Sequence, residues 1–320
     1  MTPTNLSLHS FAKINWSLRI LGKRPDGYHN LETILQTISL CDDLHFESRP
    51  EDQITLTCDN PQLPVDESNL VVRAALQLKQ RYGISRGAAI HLEKRIPAKA
   101  GLGGGSSNAA VTLLALCHLW QVDPGEGDLV EMAADLGADV PFFLLGGTAL
   151  AQGSGTEVSR LAEHAAEHLI IVTPKAEVST IDAYKAFDRA ALTTPDHAPI
   201  LSSSPDGANF AVSKPDTEMR DWHNDFESVI FDISPEIKRA KQALLEAGAG
   251  KAMLAGSGSS VFGIFSTYQS QQIAITELQT EAGWRVYPCV TVSRNEYCRA
   301  LSVGNSSLVR SFNSNSNIGA

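Results

Sequence analysis

The 320-residue chain has no uninterrupted apolar run approaching the ~20 residues that a membrane-crossing helix needs, and Met1 to Ser10 lacks a basic stretch followed by an apolar one. Neither a membrane span nor secretion is predicted. An Arg-rich transit peptide is absent as well, although a mature organellar protein without its leader would read the same. Positive charge is in deficit: 26 Lys and Arg stand against 36 Asp and Glu, a net charge of −10. This excludes the basic field that drives non-specific binding to nucleic acid or anionic lipid. Cysteine is scarce. Cys41, Cys58, Cys117, Cys289 and Cys298 are odd in number and form no C-x-x-C pair. No zinc site or disulfide framework is indicated, and the thiols are expected to be reduced, in a cytoplasm.

What is present is an ordinary globular composition, 43% hydrophobic and 19% charged, long enough for about two domains, each with its own core. Strand-like alternation marks Leu18 to Leu21, Ile34 to Leu40 and Ile54 to Thr57. The spacing predicts a helix over Asn69 to Tyr82, capped by Ser68 or Asn69, and then a strand over Ala88 to Ile96 that ends at Pro97. Helices follow at Ser106 to Trp120 and Asp128 to Leu136, with Gly137 as a stop and Pro141 preventing continuation. From about Glu163 the pattern restarts. A strand at Leu169 to Val172, helices near Thr180 to Arg189, Ser234 to Ala247 and Ser270 to Ala282, and strands around Met253 to Phe265 and Trp284 to Val292 suggest a smaller α/β sandwich. The polar stretch Thr193 to Pro215 reads as a lid or excursion, and the Ser/Asn-rich end from Gly304 as disordered.

Between the fourth strand-like stretch and its helix lies Pro97-Ala98-Lys99-Ala100-Gly101-Leu102-Gly103-Gly104-Gly105-Ser106-Ser107. Glycines there let backbone amides approach an anion at the partial positive end of the next helix, and Ser106 and Ser107 offer hydroxyls to phosphate or metal. The loop is neither a Walker loop nor the G-x-G-x-x-G dinucleotide fingerprint. A second Gly/Ser loop, Leu254 to Phe262, is either a tight hairpin or a cover over the phosphates.

Lys13, between Ala12 and Ile14, either snorkels to water from a strand edge or faces an anionic site. Asp139, before Val140-Pro141-Phe142-Phe143, either caps backbone amides or acts as a base. Asp26-Gly27-Tyr28-His29 reads as a turn, or as a platform on which Tyr28 stacks against a base.

Together, Phe11-Ala12-Lys13-Ile14-Asn15-Trp16, Arg24 to His29, the Gly-Leu-Gly-Gly-Gly-Ser-Ser loop and Leu254 to Gly263 resemble the GHMP superfamily of small-molecule kinases. The D-G-Y-H element is similar to the branch that acts on a cytidine-diphosphate-linked methylerythritol. The resemblance implies an α+β fold of two domains: a ribosomal-protein-S5-domain-2-like ATP-binding domain over 1–162 and a ferredoxin-like α/β sandwich over 163–303, with a tail over 304–320. It implies a catalytic pair at Lys13 and Asp139, nucleotide phosphates on Pro97 to Ser107, and substrate contacts at Asn15, Tyr28, His29, Thr180 and Tyr184. ATP and Mg²⁺ are the expected cofactors, with the metal ligands left unassigned. The expected product is the 2-phosphate of the acceptor, and the expected assembly a monomer or weak homodimer without nucleic-acid or membrane partners. Lys99 and Asn108 depart from the resembling motif, which carries a small residue and Asp there. A homoserine or mevalonate-type kinase and a non-catalytic ATP sensor are the rival readings. The D-G-Y-H element argues against the first, and the retention of both Lys13 and Asp139 against the second.

Overall fold

The computed structural model describes residues 4–163, 165–176, 178–193, 222–303 and 306–309. Two long strands, β1 (Asn5–Lys23) and β2 (His29–Arg49), form an antiparallel ribbon. Then come β3 (Ile54–Cys58), α1 (Leu70–Tyr82), β4 (Gly87–Glu93), α2 (Gly104–Trp120), α3 (Glu126–Leu136), α4 (Val140–Phe143), β5 (Thr148–Gly153) and β6 (Glu157–Arg160). The second half holds β7 (His168–Thr173), α5 (Thr180–Thr193), β8 (His223–Asn224), α6 (Glu227–Ile233), α7 (Pro235–Glu246), β9 (Lys251–Leu254), β10 (Val261–Phe265), α8 (Tyr268–Leu278) and β11 (Arg285–Val290). It closes with α9 (Arg294–Ala300), β12 (Ser302–Val303) and β13 (Ser306–Ser307).

The first sheet is mixed and runs β3-β4-β2-β1-β8, with β5 added on β2 and β6 on β5. The second, β11-β7-β10-β9, is antiparallel throughout. Helices α1 and α2 bury their apolar faces on the mixed sheet, around Leu44, Phe46, Leu78, Leu113 and Trp120, and α3 packs against α1 and α2. Strand alternation then divides β7 between two further cores. Ile170 and Val172 pack with α6, α7 and α8, whereas Leu169 and Ile171 turn to the seam with Ala12, Ile14 and Trp16 of β1. That seam joins the two sheets and underlies the site described below. Among the described residues, no helix is long and apolar enough to cross a membrane.

The α+β class agrees with the sequence reading, and Asn69 is the α1 N-cap, its side chain accepting from the Val71 amide. Helix α3 ends at Leu136 with Gly137 as its C-cap, and Pro141 lies in the first turn of the separate α4, where a missing N–H is harmless. Of the tail read from Gly304, the structure describes Ser306 to Val309. Ser306–Ser307 pairs with Ser302–Val303, and Val309 enters the first core beside Tyr297 and Leu301, so apolar burial outweighs the polar composition there. The expected lid over Thr193 to Pro215 lies outside the described residues, apart from Thr193 at the end of α5.

Candidate active site

The geometry of the site begins with a break in the β1–β2 ladder. Leu8 and Ser10 face the helical layer, where Ser10 Oγ donates to Ser107 Oγ at 2.7 Å. A register shift between Phe11 and Ala12 then changes the parity of the strand. Ala12, Ile14 and Trp16 therefore go to the seam, and Lys13 and Asn15 are aimed at the N-terminus of α2. Lys13 is 3% exposed. Its ammonium donates to Asn15 Oδ1 at 2.9 Å and lies 3.4 Å from Asp139 Oδ2. Asn15 Nδ2 in turn donates to Thr33 Oγ1 at 2.8 Å. Asp139 occupies the N-cap position of α4 but makes no side-chain cap hydrogen bond, and its side chain is 37% exposed. The carboxylate thus faces Lys13 and solvent rather than helix amides.

Opposite this pair, the glycine loop runs into α2, whose N-cap Gly103 is left-handed (φ 70°) and offers no side-chain cap. The first amides of α2 consequently lack a side-chain acceptor and stand free for an anion. A Cβ on Gly103 would lie 2.9 Å from the Lys13 side chain, and one on Gly101 (φ 76°) 1.9 Å from the Ala255 carbonyl oxygen. Glycine is therefore required by close approach as well as by backbone conformation. The second Gly/Ser loop is the hairpin that its sequence allowed, and it packs against the first loop. It is closed by Ala255 N–H on Ser260 O, and Ser260 N–H donates to Ala100 O at 3.2 Å. Asn224 Nδ2 holds it through Leu254 O and Gly256 O.

At the other end, Tyr28 projects from the Asp26-Gly27 turn with 71% of its surface exposed. Its amide donates to Asp26 Oδ1. The His29 ring stacks on Tyr184 of α5 at 4.7 Å, and His29 Nε2 and Lys23 Nζ both contact the Asp188 carboxylate, at 2.7 and 2.5 Å. Partial burial works the other way, but these hydrogen bonds and charges hold Asp188 below the usual carboxylate range. Burial, and then the charge of Asp139, push the Tyr184 phenol up to about 12, so it stays protonated. Thr180 Oγ1 lies 3.1 Å from Ser257 Oγ.

A cavity of about 1000 Å³ is lined by Lys13, Asn15, Tyr28, His29, Asp139, Thr180, Tyr184 and every residue from Pro97 to Ser106. Ser107 is different: it is fully buried, its hydroxyl accepts from Ser10, and it does not line the cavity. Lys99 is left-handed (φ 54°), exposed and on the cavity wall. Sequence reasoning missed Lys23, Lys94, Lys185 and Asp188, which also line it and carry no local motif. The oxygen donors at the phosphate end, the Asp139 carboxylate and the Ser106 hydroxyl, are hard ligands that fit Mg²⁺ held mainly by phosphate. The single His/Cys/Asp/Glu cluster among the described residues with metal-ligand spacing, His9, Cys41 and Asp43, lines no part of the cavity.

Comparison with known proteins agrees with this geometry. The GHMP kinases N terminal domain family matches residues 69–147, and the GHMP kinases C terminal family matches residues 216–283. The 4-diphosphocytidyl-2-C-methyl-D-erythritol kinase of Chlorobium phaeobacteroides is 42% identical over 287 residues, covering 88% of this chain and 94% of that protein. A crystal structure of 4-(cytidine 5'-diphospho)-2C-methyl-D-erythritol kinase superposes with a TM-score of 0.70 at 32% identity, covering 89% of this chain and 99% of the other. Homoserine kinase from Cytophaga hutchinsonii shares the fold, with a TM-score of 0.67 at 20% identity over 92% of this chain and 96% of that one. The chain belongs to the GHMP kinases and, within them, to the 4-diphosphocytidyl-2-C-methyl-D-erythritol kinase family.

Proposed function

We propose that the cavity transfers the γ-phosphoryl group of ATP to the 2-hydroxyl of 4-diphosphocytidyl-2-C-methyl-D-erythritol, giving its 2-phosphate and ADP in non-mevalonate isoprenoid biosynthesis. The observation that carries this reading is the Lys13–Asp139 pair, 3.4 Å apart, sharing one cavity with the glycine loop and the Tyr28/His29/Tyr184 cluster.

In this mechanism Asp139 accepts the proton of the acceptor hydroxyl as its oxygen attacks the γ-phosphorus and the bond to the β-phosphate oxygen breaks. Lys13, 3.4 Å from Asp139, balances negative charge on the transferring group. The free amides of Gly104 to Ser106 bind the phosphates. Phosphoryl transfer asks little covalent chemistry of the protein, so positioning and electrostatics supply most of the rate. Ser106 and Asp139, the latter through the oxygen turned away from the acceptor, would hold Mg²⁺, which would supply neutralisation of phosphate charge. Tyr28 and Tyr184 offer flat faces for the cytosine, and His29, fixed by Asp188, offers polar contacts to its edge. The same reading takes the protein as cytoplasmic, and as a monomer or weak homodimer. Its five cysteines, odd in number and without a C-x-x-C pair, support the cytoplasm.

A coupled ADP-release assay with ATP and Mg²⁺ tests the assignment, run with the cytidylyl substrate beside homoserine and mevalonate. Turnover confined to the cytidylyl substrate is expected. Turnover with homoserine or mevalonate, or nucleotide binding without turnover on any acceptor, contradicts it.

A further inference from the structure

Asp42 is a wholly buried carboxylate on β2 with no place in the mechanism above. Both of its oxygens are saturated. Oδ1 accepts from the backbone amides of Arg95 and Ile96, each at 2.8 Å, at the point where the chain leaves β4 for the glycine loop. Oδ2 accepts from the Lys94 ammonium and, at 2.9 Å, from Asn108 Nδ2. One buried anion therefore ties the entry of the loop to the second turn of the helix that follows it.

Two of these partners reach the cavity wall. Lys94 and Asn108 both line it, and Lys94 Nζ would lie 3.2 Å from a Cβ placed on Gly104, the first residue of α2. An ammonium with a side chain only 7% exposed needs a fixed counter-charge to remain there, and Asp42 supplies it. Asn108 completes the arrangement as an amide. Its Nδ2 donates to Asp42 Oδ2 and to Ser10 Oγ at 2.9 Å, while its Oδ1 lies 3.4 Å from Lys94 Nζ. An aspartate at 108 could not donate, and would set two carboxylates against each other around one lysine. The amide at this position thus answers to the carboxylate on β2.

We propose that Asp42 is a positioning residue of the nucleotide site, holding the Lys94 ammonium and the Asn108 amide at the mouth of α2 and so setting affinity for the nucleotide phosphates. The proposal rests on the ATP reading above. Asp42→Asn presents one acceptor oxygen and an NH₂ to four donors, so Lys94 leaves its place and the loop entry loosens.

The test is steady-state kinetics of wild type, Asp42→Asn and Asn108→Asp with ATP and acceptor varied separately, beside ADP titrations by calorimetry. The expected result is at least a tenfold rise in KM for ATP and in Kd for ADP in both variants, with the acceptor KM within twofold. Should Asp42→Asn fail to fold, Asn108→Asp decides the matter alone. Unchanged ATP KM with only a lowered kcat or melting temperature makes Asp42 a structural residue and overturns the proposal. A wild-type protein that binds no nucleotide overturns the kinase reading and this proposal with it. Wild-type binding with unaltered variants overturns this proposal only.

Discussion

Lys13 Nζ lies 3.4 Å from Asp139 Oδ2, yet the two side chains meet water very differently, at 4% and 37% exposure. The buried cation is held by Asn15 as well, whereas the carboxylate is open to the cavity. The asymmetry suits a charge that stays fixed beside a group that must exchange a proton. Lys13→Met should therefore separate activity from stability. Removing a buried ammonium beside a hydrated partner should move the melting temperature by no more than about 3 °C in either direction, while kcat falls at least ~100-fold. A large loss of stability with normal kcat would return Lys13 to the role of a strand-edge residue.

Tyr28 carries little of the fold, since its ring is mostly in solvent. Tyr28→Ala is expected to change stability by less than about 0.5 kcal/mol and to raise KM for the cytidylyl substrate about 5- to 100-fold, as the loss of one base stack implies. Equal effects on the KM of ATP would show that the segment is only a turn.

Gly101 has a positive φ, and any Cβ there would meet the Ala255 carbonyl. Gly101→Ala should destabilise by roughly 1 kcal/mol or more and weaken ATP binding, because the two glycine loops must separate. Chemical denaturation beside nucleotide titration checks both, and an alanine variant of native stability contradicts the close approach.

Asp188 gives a pH test. Its carboxyl is held below the ordinary value, so the stability that its ionised form contributes is present above the unfolded value near ~3.9 and is lost as pH falls through the folded one. The difference in melting temperature between wild type and Asp188→Asn should be largest near neutrality and shrink below pH ~4. A difference that stays constant from pH 7 to 3 would mean that the Lys23 and His29 contacts do not depend on the charge.

Much of this site was legible in the sequence because it lies in local motifs. The Ser106 to Trp120 stripe gave α2, the glycines gave its N-terminal loop, and the A-K-I-N and D-G-Y-H elements gave both ends of the cavity. What escaped depends on contacts between distant parts of the chain. Asp188 meets Lys23 and His29 from α5, and Asp42 meets Lys94 and Asn108, with no periodicity or spacing to announce either. The parity change after Phe11, which aims Lys13 at the cavity, is a property of the β1–β2 register rather than of either strand. Ser107 looked like its neighbour Ser106, and only the packing of α2 on β1 turns its hydroxyl inward to Ser10. The chain end read as polar tail because Leu308 and Val309 are a lone apolar pair in a Ser/Asn context. Their value appears only when Tyr297 is seen in the first core, donating its hydroxyl to the Phe143 carbonyl at 2.6 Å and so bracing α4 beside Asp139.

The most direct test of the account is a rapid-quench single-turnover measurement of ADP formation in wild type and Asp139→Asn, with the cytidylyl substrate bound and ATP affinity measured in parallel. Transfer should be nearly abolished in the variant while ATP affinity stays within a few fold. A variant that transfers phosphate at the wild-type rate would remove Asp139 from the chemistry and leave the Lys13–Asp139 pair a structural contact.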